Sequence, residues 1–224
     1  MSAVIESMPY RDRKRATWLL SMAVPLLAAA GPLLYLASAA AWTLWLPVLL
    51  VYVGLPIADL IVGEDRSNPP ESAMAGLDAD RYYRMIAWMM VPLLWVAFVF
   101  AAWFVMRHDL PLHGLIAATI ATGVVGGFCI NIGHELGHKR GAFERWLAKL
   151  VLAPTGYGHF HVEHNRGHHR DVATPDDPAS SRMGESIYAF VVREIPGAWR
   201  RAWRLERERM QGLGRSRFSL HNDI

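Results

Sequence analysis

Four apolar stretches dominate the first 133 residues of the chain, and they restrict it to one class of fold. The stretches cover residues 17–37, 42–62, 86–106 and 113–133. A helix of about 20 residues is long enough to cross the hydrocarbon core of a bilayer, which is about 30 Å thick. Prolines inside these stretches are compatible with membrane helices, because neighbouring helices satisfy the backbone groups that proline leaves free. The sequence therefore predicts an all-α integral membrane protein with four transmembrane helices.

The part of the chain after Gly133 is polar and rich in charge. Charged residues make up only 19% of the whole chain, against about 25% in soluble domains, and more than half of them follow Gly133. We therefore predict two regions. Residues 1–133 form an N-terminal tail and a four-helix transmembrane region, and residues 134–224 form a helical region in water.

The distribution of Lys and Arg predicts the orientation of the spans. Basic residues precede the first span and lie between the second and third, whereas the other two connections contain only Arg107. These basic residues are Arg11, Arg13, Lys14, Arg15, Arg66, Arg81 and Arg84. Because cytoplasmic loops carry an excess of Lys and Arg, we expect a cytoplasmic N-terminus and, after four crossings, a cytoplasmic second region.

The single cysteine limits the redox chemistry that the chain can perform alone. Cys129 lies inside the fourth apolar stretch, where we expect a small buried side chain. Neither an intrachain disulfide nor a cysteine-ligated iron–sulfur or rubredoxin-type centre is possible. The sequence has no flavin or haem motif either, so electrons for a redox reaction would have to come from another protein.

Five of the ten histidines form two short groups. His134 and His138 belong to the motif HELGH at the end of the fourth apolar stretch, and His164, His168 and His169 belong to the motif EHNRGHH. Residues four apart lie on one face of an α-helix. We therefore expect His134 to share a metal with His138, and His164 with His168, while His169 reaches a neighbouring ion.

The first group also matches HExxH, the motif of zinc proteases in which the glutamate is the general base. This alternative is disfavoured by the second group, because a catalytic zinc takes three protein ligands. Five histidines instead favour two metals with nitrogen-rich ligation, which suits iron in oxygen chemistry. Two irons with open positions need roughly eight ligands. His159 and His161 are reserve candidates for which we favour structural roles, so we expect a truncated chain with an incomplete site.

Motifs along the whole chain resemble those of the membrane-bound non-haem di-iron alkane 1-monooxygenases. The matching segments are GED (63–65), NPP (68–70), RYYR (81–84), NIGHELGHK (131–139), GYGHF (156–160), EHNRGHHRDVATP (163–175), DP (177–178), SRMGESIY (181–188) and REIPGA (193–198). The resemblance implies a six-helix membrane bundle of the fatty-acid-desaturase type in the bacterial inner membrane, capped by a cytoplasmic helical region with two non-haem irons. A related membrane di-iron hydroxylase or a lipid desaturase stays open as an alternative.

The resemblance also implies a reaction and a set of site residues. One atom of O2 would enter the terminal C–H bond of an alkane, with electrons from rubredoxin, which an NADH-dependent reductase reduces; no nucleic acid is expected as a partner. The implied ligands are His134, His138, His164, His168 and His169, with further histidine ligands after two more spans.

Other residues are expected to support this site. Glu135, Glu163 and Asp171 are expected to accept hydrogen bonds from ligand rings and fix their tautomers. The resemblance further implies that a bulky residue in the second span limits substrate length, so the small Val51 at that position would leave room for longer alkanes. The basic residues 193–217 are expected to rest on anionic lipid or to attract the acidic rubredoxin.

Overall fold

The computed structural model describes residues 10–224; the first nine residues of the tail, which we predict to be cytoplasmic, lie outside this part. The described residues form helices and no β-strand, which confirms the all-α class. The helices are α1 (Leu26–Ser38), α2 (Ala41–Val62), α3 (Glu71–Ala79), α4 (Arg81–Arg107), α5 (Leu112–Gly137), α6 (Ala142–Leu152), α7 (160–171) and α8 (Ile187–Gly212), with 3-10 segments at Arg15–Ala23 and Ala153–Thr155.

Helices α2, α4 and α5 are each long and apolar enough to cross a membrane, which identifies an integral membrane protein. The first predicted span is different. It consists of the 3-10 segment Arg15–Ala23 and helix α1, which meet at an angle of 49°. Pro25 stands at the break, where the missing N–H and the ring favour the start of a new helix. The structure therefore contains three candidate spans, or four if this bent pair is one broken span.

Helix α2 is irregular along its length. It begins as a 3-10 turn at Ala41–Trp45, contains a π-helical turn at Leu50–Gly54 and ends as an α-helix at Leu55–Val62. Pro56 has no N–H to donate to the preceding turn, and a π turn beside such a gap is a recognised source of helix irregularity. Val51 lies half-buried within this π turn.

The chain forms two compact units, Met1–Phe128 and Cys129–Ile224. In the first unit, Leu44, Phe104 and Ala117 form a buried cluster that is flanked by Tyr35. Gly31 allows close packing there, since a Cβ at this position would lie 3.0 Å from the Cα of Leu44. Small residues permit such close approach of membrane helices.

The second unit contains the end of α5 together with α6, α7 and α8. Leu152 at the end of α6 is fully buried and packs against Gly133, where a Cβ would lie 2.6 Å from the Leu152 Cγ. Helix α8 packs against α7 through a buried face that includes Ala198, Ala202 and Met210. This packing fixes the segments that carry the histidines. The predicted functional boundary between residues 133 and 134 stays a prediction.

Candidate metal centre

Four histidines bring one ring nitrogen each into a single cluster. His134 lies in the last turn of α5 and His138 follows the end of that helix, while His164 and His169 belong to α7. One ligand atom from each of the four lies within 4.8 Å of the other three. We call these four residues the histidine cluster. Two helical segments of the second unit therefore present a potential metal site.

The contacts inside the histidine cluster fit a shared cation. The Nε2 atoms are separated by 2.9 Å between His134 and His138, 3.2 Å between His138 and His164, and 3.1 Å between His164 and His169. A neutral imidazole has one N–H and one lone pair, so the two central nitrogens cannot satisfy two nitrogen neighbours each by ideal hydrogen bonds. A metal with bonds of about 2.1 Å to nitrogen would place neighbouring ligand atoms about 3 Å apart. The donor set and spacing therefore suit a metal ion.

The protonation states of the cluster also favour metal binding. Burial and the neighbouring histidines lower the pKa of His164 to about 3. The same causes lower the pKa of His138. A depressed histidine pKa means that the ring is neutral at pH 7, and a neutral ring has the lone pair that a metal requires.

A π-helical turn decides which histidines of α7 come together. The segment His164–His168 is π-helical, with hydrogen bonds to the fifth residue along instead of the fourth. This turn brings His164 and His169 to one face. The expected α-helical pairing of His164 with His168 is therefore corrected: their rings stack 5.3 Å apart, and His168 does not belong to the cluster of converging nitrogens.

His168 is held by Asp177, a carboxylate that was not among the three expected beside the ligand rings. Its Nδ1 lies 2.8 Å from Oδ2 of Asp177, and Asp177 is only 2% exposed. An Nδ1–H that donates to this carboxylate leaves the lone pair on Nε2, as in histidines that bind metals. Asp177 is nine residues from His168 in a turn, so no helical periodicity could have paired the two residues.

Comparison with known proteins identifies the family. The family model described as "Fatty acid desaturase" matches residues 109–222, about half of the chain, including all five predicted histidine ligands. The chain belongs to the fatty acid desaturase family. It is 50% identical over 96% of its length to alkane 1-monooxygenase 1 of Alcanivorax borkumensis, of which it covers 53%. Proteins named alkane 1-monooxygenase from Pseudomonas putida and Ectopseudomonas oleovorans are each 47% identical, over 100% and 99% of the chain and 56% and 55% of their own lengths.

These relatives confirm the resemblance that the motifs indicated. They also show that the chain spans about half the length of the curated relatives that it matches. The second unit, with the histidine cluster, lies almost entirely within the part matched by the desaturase family model.

The three carboxylates expected beside the ligand rings have other partners in the structure. Glu135 pairs with Lys139 at 2.8 Å, and Asp171 pairs with Arg170 at 2.9 Å and also with Arg201. Glu163 is buried, and burial raises its pKa to about 7. Among the described contacts, the carboxylate that accepts a hydrogen bond from a histidine ring of the second group is that of Asp177, which contacts His168.

The two reserve histidines lie outside the cluster. His159 is 5% exposed and its ring contacts that of Tyr157 at 4.5 Å between centroids. His161 lies beside Gly137 and Asn165. Burial lowers the pKa of both histidines. Roles beside the ligands or in the structure, as expected for these two histidines, stay a prediction.

The basic stretch 193–217 does not form one continuous surface. Arg193 binds Glu185 at 2.7 Å, and Arg209 binds Glu206. Arg201 is 4% exposed and belongs to the interior. The expectation that Arg201 contributes to a docking surface is therefore wrong, because tertiary packing turns its face of α8 inward. Arg200 and Arg204 remain exposed.

Proposed function

We propose that the chain carries the first two histidine groups of a membrane di-iron alkane 1-monooxygenase. The observation that carries this proposal is the convergence of four Nε2 atoms from α5 and α7, in a chain about 50% identical to proteins named for that activity. His134, His138, His164 and His169 would hold one iron, and His168, oriented by Asp177, would serve a second. When bound, the irons would supply the redox chemistry that reduces O2 with two electrons and two protons, placing one oxygen atom in a terminal C–H bond and releasing the other as water.

The residues of the chain prepare this site in three ways. The rings of His138 and His164 stay neutral because burial and the neighbouring histidines disfavour their protonation and lower their pKa. Asp177 holds the proton of His168 at Nδ1. Phe160 stacks on His164 with centroids 4.8 Å apart, and Tyr157 stacks on Phe160 at 5.7 Å. These two aromatic rings give His164 an apolar surface on one side.

We propose an alkane as the substrate, reached from the bilayer in which it dissolves. A hydrocarbon has no charged group to recognise, so an apolar binding path with few polar groups suffices. Val51 would help to set the chain length at the irregular π turn of α2, and replacing it with Trp should shift the preference toward shorter alkanes. For the whole protein we propose a bundle of six transmembrane helices, four of which belong to this chain. The bundle would lie in the bacterial inner membrane with its N-terminus in the cytoplasm.

We further propose rubredoxin as the electron donor, reduced in turn by an NADH-dependent reductase. The described part of the chain has one cysteine, Cys129, which is buried, so it cannot build an iron–sulfur or rubredoxin-type centre. The exposed Arg200 and Arg204 on α8 provide positive charge that would steer an acidic donor protein.

The experiment that tests the reaction uses membranes containing the whole six-helix protein proposed here, loaded with Fe2+ and supplied with rubredoxin, its reductase, NADH, O2 and octane. Formation of 1-octanol that is abolished by His164→Ala supports the proposal. Desaturation of a fatty acyl lipid with no 1-octanol would favour the desaturase alternative. Zinc in the purified protein, with peptide cleavage, would favour the HExxH protease.

A further inference from the structure

A buried arginine joins three carboxylates around the histidines of α7. The Arg201 side chain is 3% exposed. Its Nη1 lies 3.1 Å from Oδ1 of Asp177 and 3.6 Å from Oε1 of Glu163, and its Nη2 binds Asp171. It also donates from Nη1 to the Asp176 carbonyl at 3.4 Å. One cation therefore holds acidic groups from separate parts of the segment 163–177.

These carboxylates bracket the second histidine group. Glu163 immediately precedes His164, Asp171 follows His169 by two residues, and Asp177 accepts from His168. Removing one member of a buried ion network strongly destabilises the folded state, because the remaining charges stay desolvated and unpaired. This loss is much larger than the net stabilisation that the intact network provides. The position of Arg201 therefore bears on the orientation of all three histidines of the group.

Gly167 makes room for this arginine. A Cβ at Gly167 would lie 2.8 Å from Nε and 3.1 Å from Cζ of Arg201, and 3.1 Å from Oε1 of Glu163. Gly167 is buried within the π turn between His164 and His168. The guanidinium of α8 thus packs directly against the backbone of the turn that sets the spacing of the histidines.

We propose that Arg201 is a positioning residue for the metal site. It fixes the π turn from α8 and holds Asp177 in place, so that His164 and His169 keep their convergence and His168 keeps its proton on Nδ1. This inference rests on the proposed function, because it assumes that these histidines bind metal. This buried role distinguishes Arg201 from Arg200 and Arg204 on the same helix, whose side chains are exposed to solvent.

The test is Co2+ binding to the purified chain in detergent, followed by the visible absorption of the bound ion. Loss of a hydrogen-bond partner behind ligands typically weakens metal binding 10- to 100-fold. We expect Arg201→Met to weaken Co2+ binding about tenfold or more and to change its absorption spectrum, and Arg201→Lys to restore part of the loss. Arg207→Met, an exposed arginine of the same helix, is the matched control and should leave both unchanged.

Histidine tautomers give a readout that simple loss of stability does not move. With ¹⁵N-labelled histidine, the metal-free chain should show the Nδ1–H form at His168, and Arg201→Met should produce a mixture of tautomers. Wild-type affinity, spectrum and His168 tautomer in Arg201→Met would overturn the proposal. If the wild-type chain binds no Co2+, the metal site itself is wrong, which is a distinguishable failure.

Two further variants keep the proposal testable if Arg201→Met does not fold. Gly167→Ala displaces the guanidinium without removing its charge, and Asp177→Asn removes one acidic partner at nearly constant size. Each should weaken Co2+ binding about tenfold. Combining Asp177→Asn with Arg201→Lys should cost less than the sum of the two, because both act through one network. Additive losses, or unchanged binding in Gly167→Ala, would contradict the proposal.

Discussion

The Nε2 atoms of His164 and His169 lie 3.1 Å apart although the two residues are five positions apart in the sequence. An α-helix places residues i and i+4 on one face, but the π turn His164–His168 widens the helix so that i and i+5 meet. π turns are rare and occur frequently at functional sites. The spacing of the second histidine group is thus a property of this turn.

This relationship predicts different effects for two adjacent histidines. In the purified chain, His169→Ala should weaken Co2+ binding by more than the 10- to 100-fold typical of a hydrogen-bond partner, because it removes one of the four converging nitrogens. His168→Ala should have the smaller effect, since its ring lies outside that group. Titration of the two variants side by side decides the order, and a larger loss in His168→Ala would contradict the assigned cluster.

A second prediction concerns the close packing of α5 on α6. Gly133→Ala should lower the stability by about 1–3 kcal/mol, because its Cβ would lie 2.6 Å from the Leu152 Cγ. Gly127→Ala in the same helix has no neighbouring atom within 4 Å of the new Cβ and serves as the control. Thermal unfolding in detergent measures both. The double variant Gly133→Ala/Leu152→Ala should be more stable than additivity predicts; strict additivity would exclude the contact.

A third prediction follows from the carboxylate of Asp223. Burial raises the pKa of Asp223, but hydrogen bonds from Lys149 and Arg166 outweigh this effect and lower the pKa to about 2. An unfolded aspartate has a pKa of about 3.9. A depressed carboxylate pKa contributes stability above the unfolded pKa that is lost as pH falls through the folded pKa. With allowance for solvent screening at this partly exposed position, Asp223 should contribute about 1–2 kcal/mol of stability above pH ~4, and this contribution should be lost toward pH ~2.

The pH dependence of Asp223→Asn isolates this contribution. The variant should be less stable than the wild type at pH 6, and the difference should shrink as the pH falls from about 4 toward 2. Asp109→Asn, at an exposed position, is the comparison. A difference that stays constant across this range would show that the ion pairs of Asp223 do not stabilise the folded chain.

The proposed docking of the electron donor gives a fourth prediction. Arg200→Glu/Arg204→Glu should slow electron transfer from reduced rubredoxin about tenfold at low ionic strength, because steering by surface charge changes association rates by about 10- to 1000-fold. The difference should vanish near 1 M salt, where the Debye length is about 3 Å. An unchanged rate at low salt would reject this surface. Arg201 is excluded from the test because it is buried.

Local chemistry made much of this protein predictable. The bilayer fixes the length of an apolar helix, so α2, α4 and α5 coincide closely with three of the predicted stretches. The two histidine motifs predicted a cluster, and the structure brings four of the five histidines together. The break near Pro25 could not be predicted from the proline alone, because prolines are also tolerated within continuous membrane helices.

The features that were missed depend on tertiary contacts. The π turn of α7 lies where Arg201 packs on Gly167, and helical periodicity alone assumes an α-helix. Asp177 reaches His168 from a turn, at a separation with no local signature. A run of arginines in sequence resembles a solvated face, and only the packing of α8 on α7 shows that Arg201 points inward.

The most direct test of the account is the metal content of the purified chain after incubation with Fe2+ under anaerobic conditions. The chain should retain iron after desalting, whereas the double variant His138→Ala/His164→Ala, which removes the two central nitrogens of the cluster, should retain none while keeping the helical content of the wild type. Equal iron in the folded double variant would show that these histidines are not a metal site.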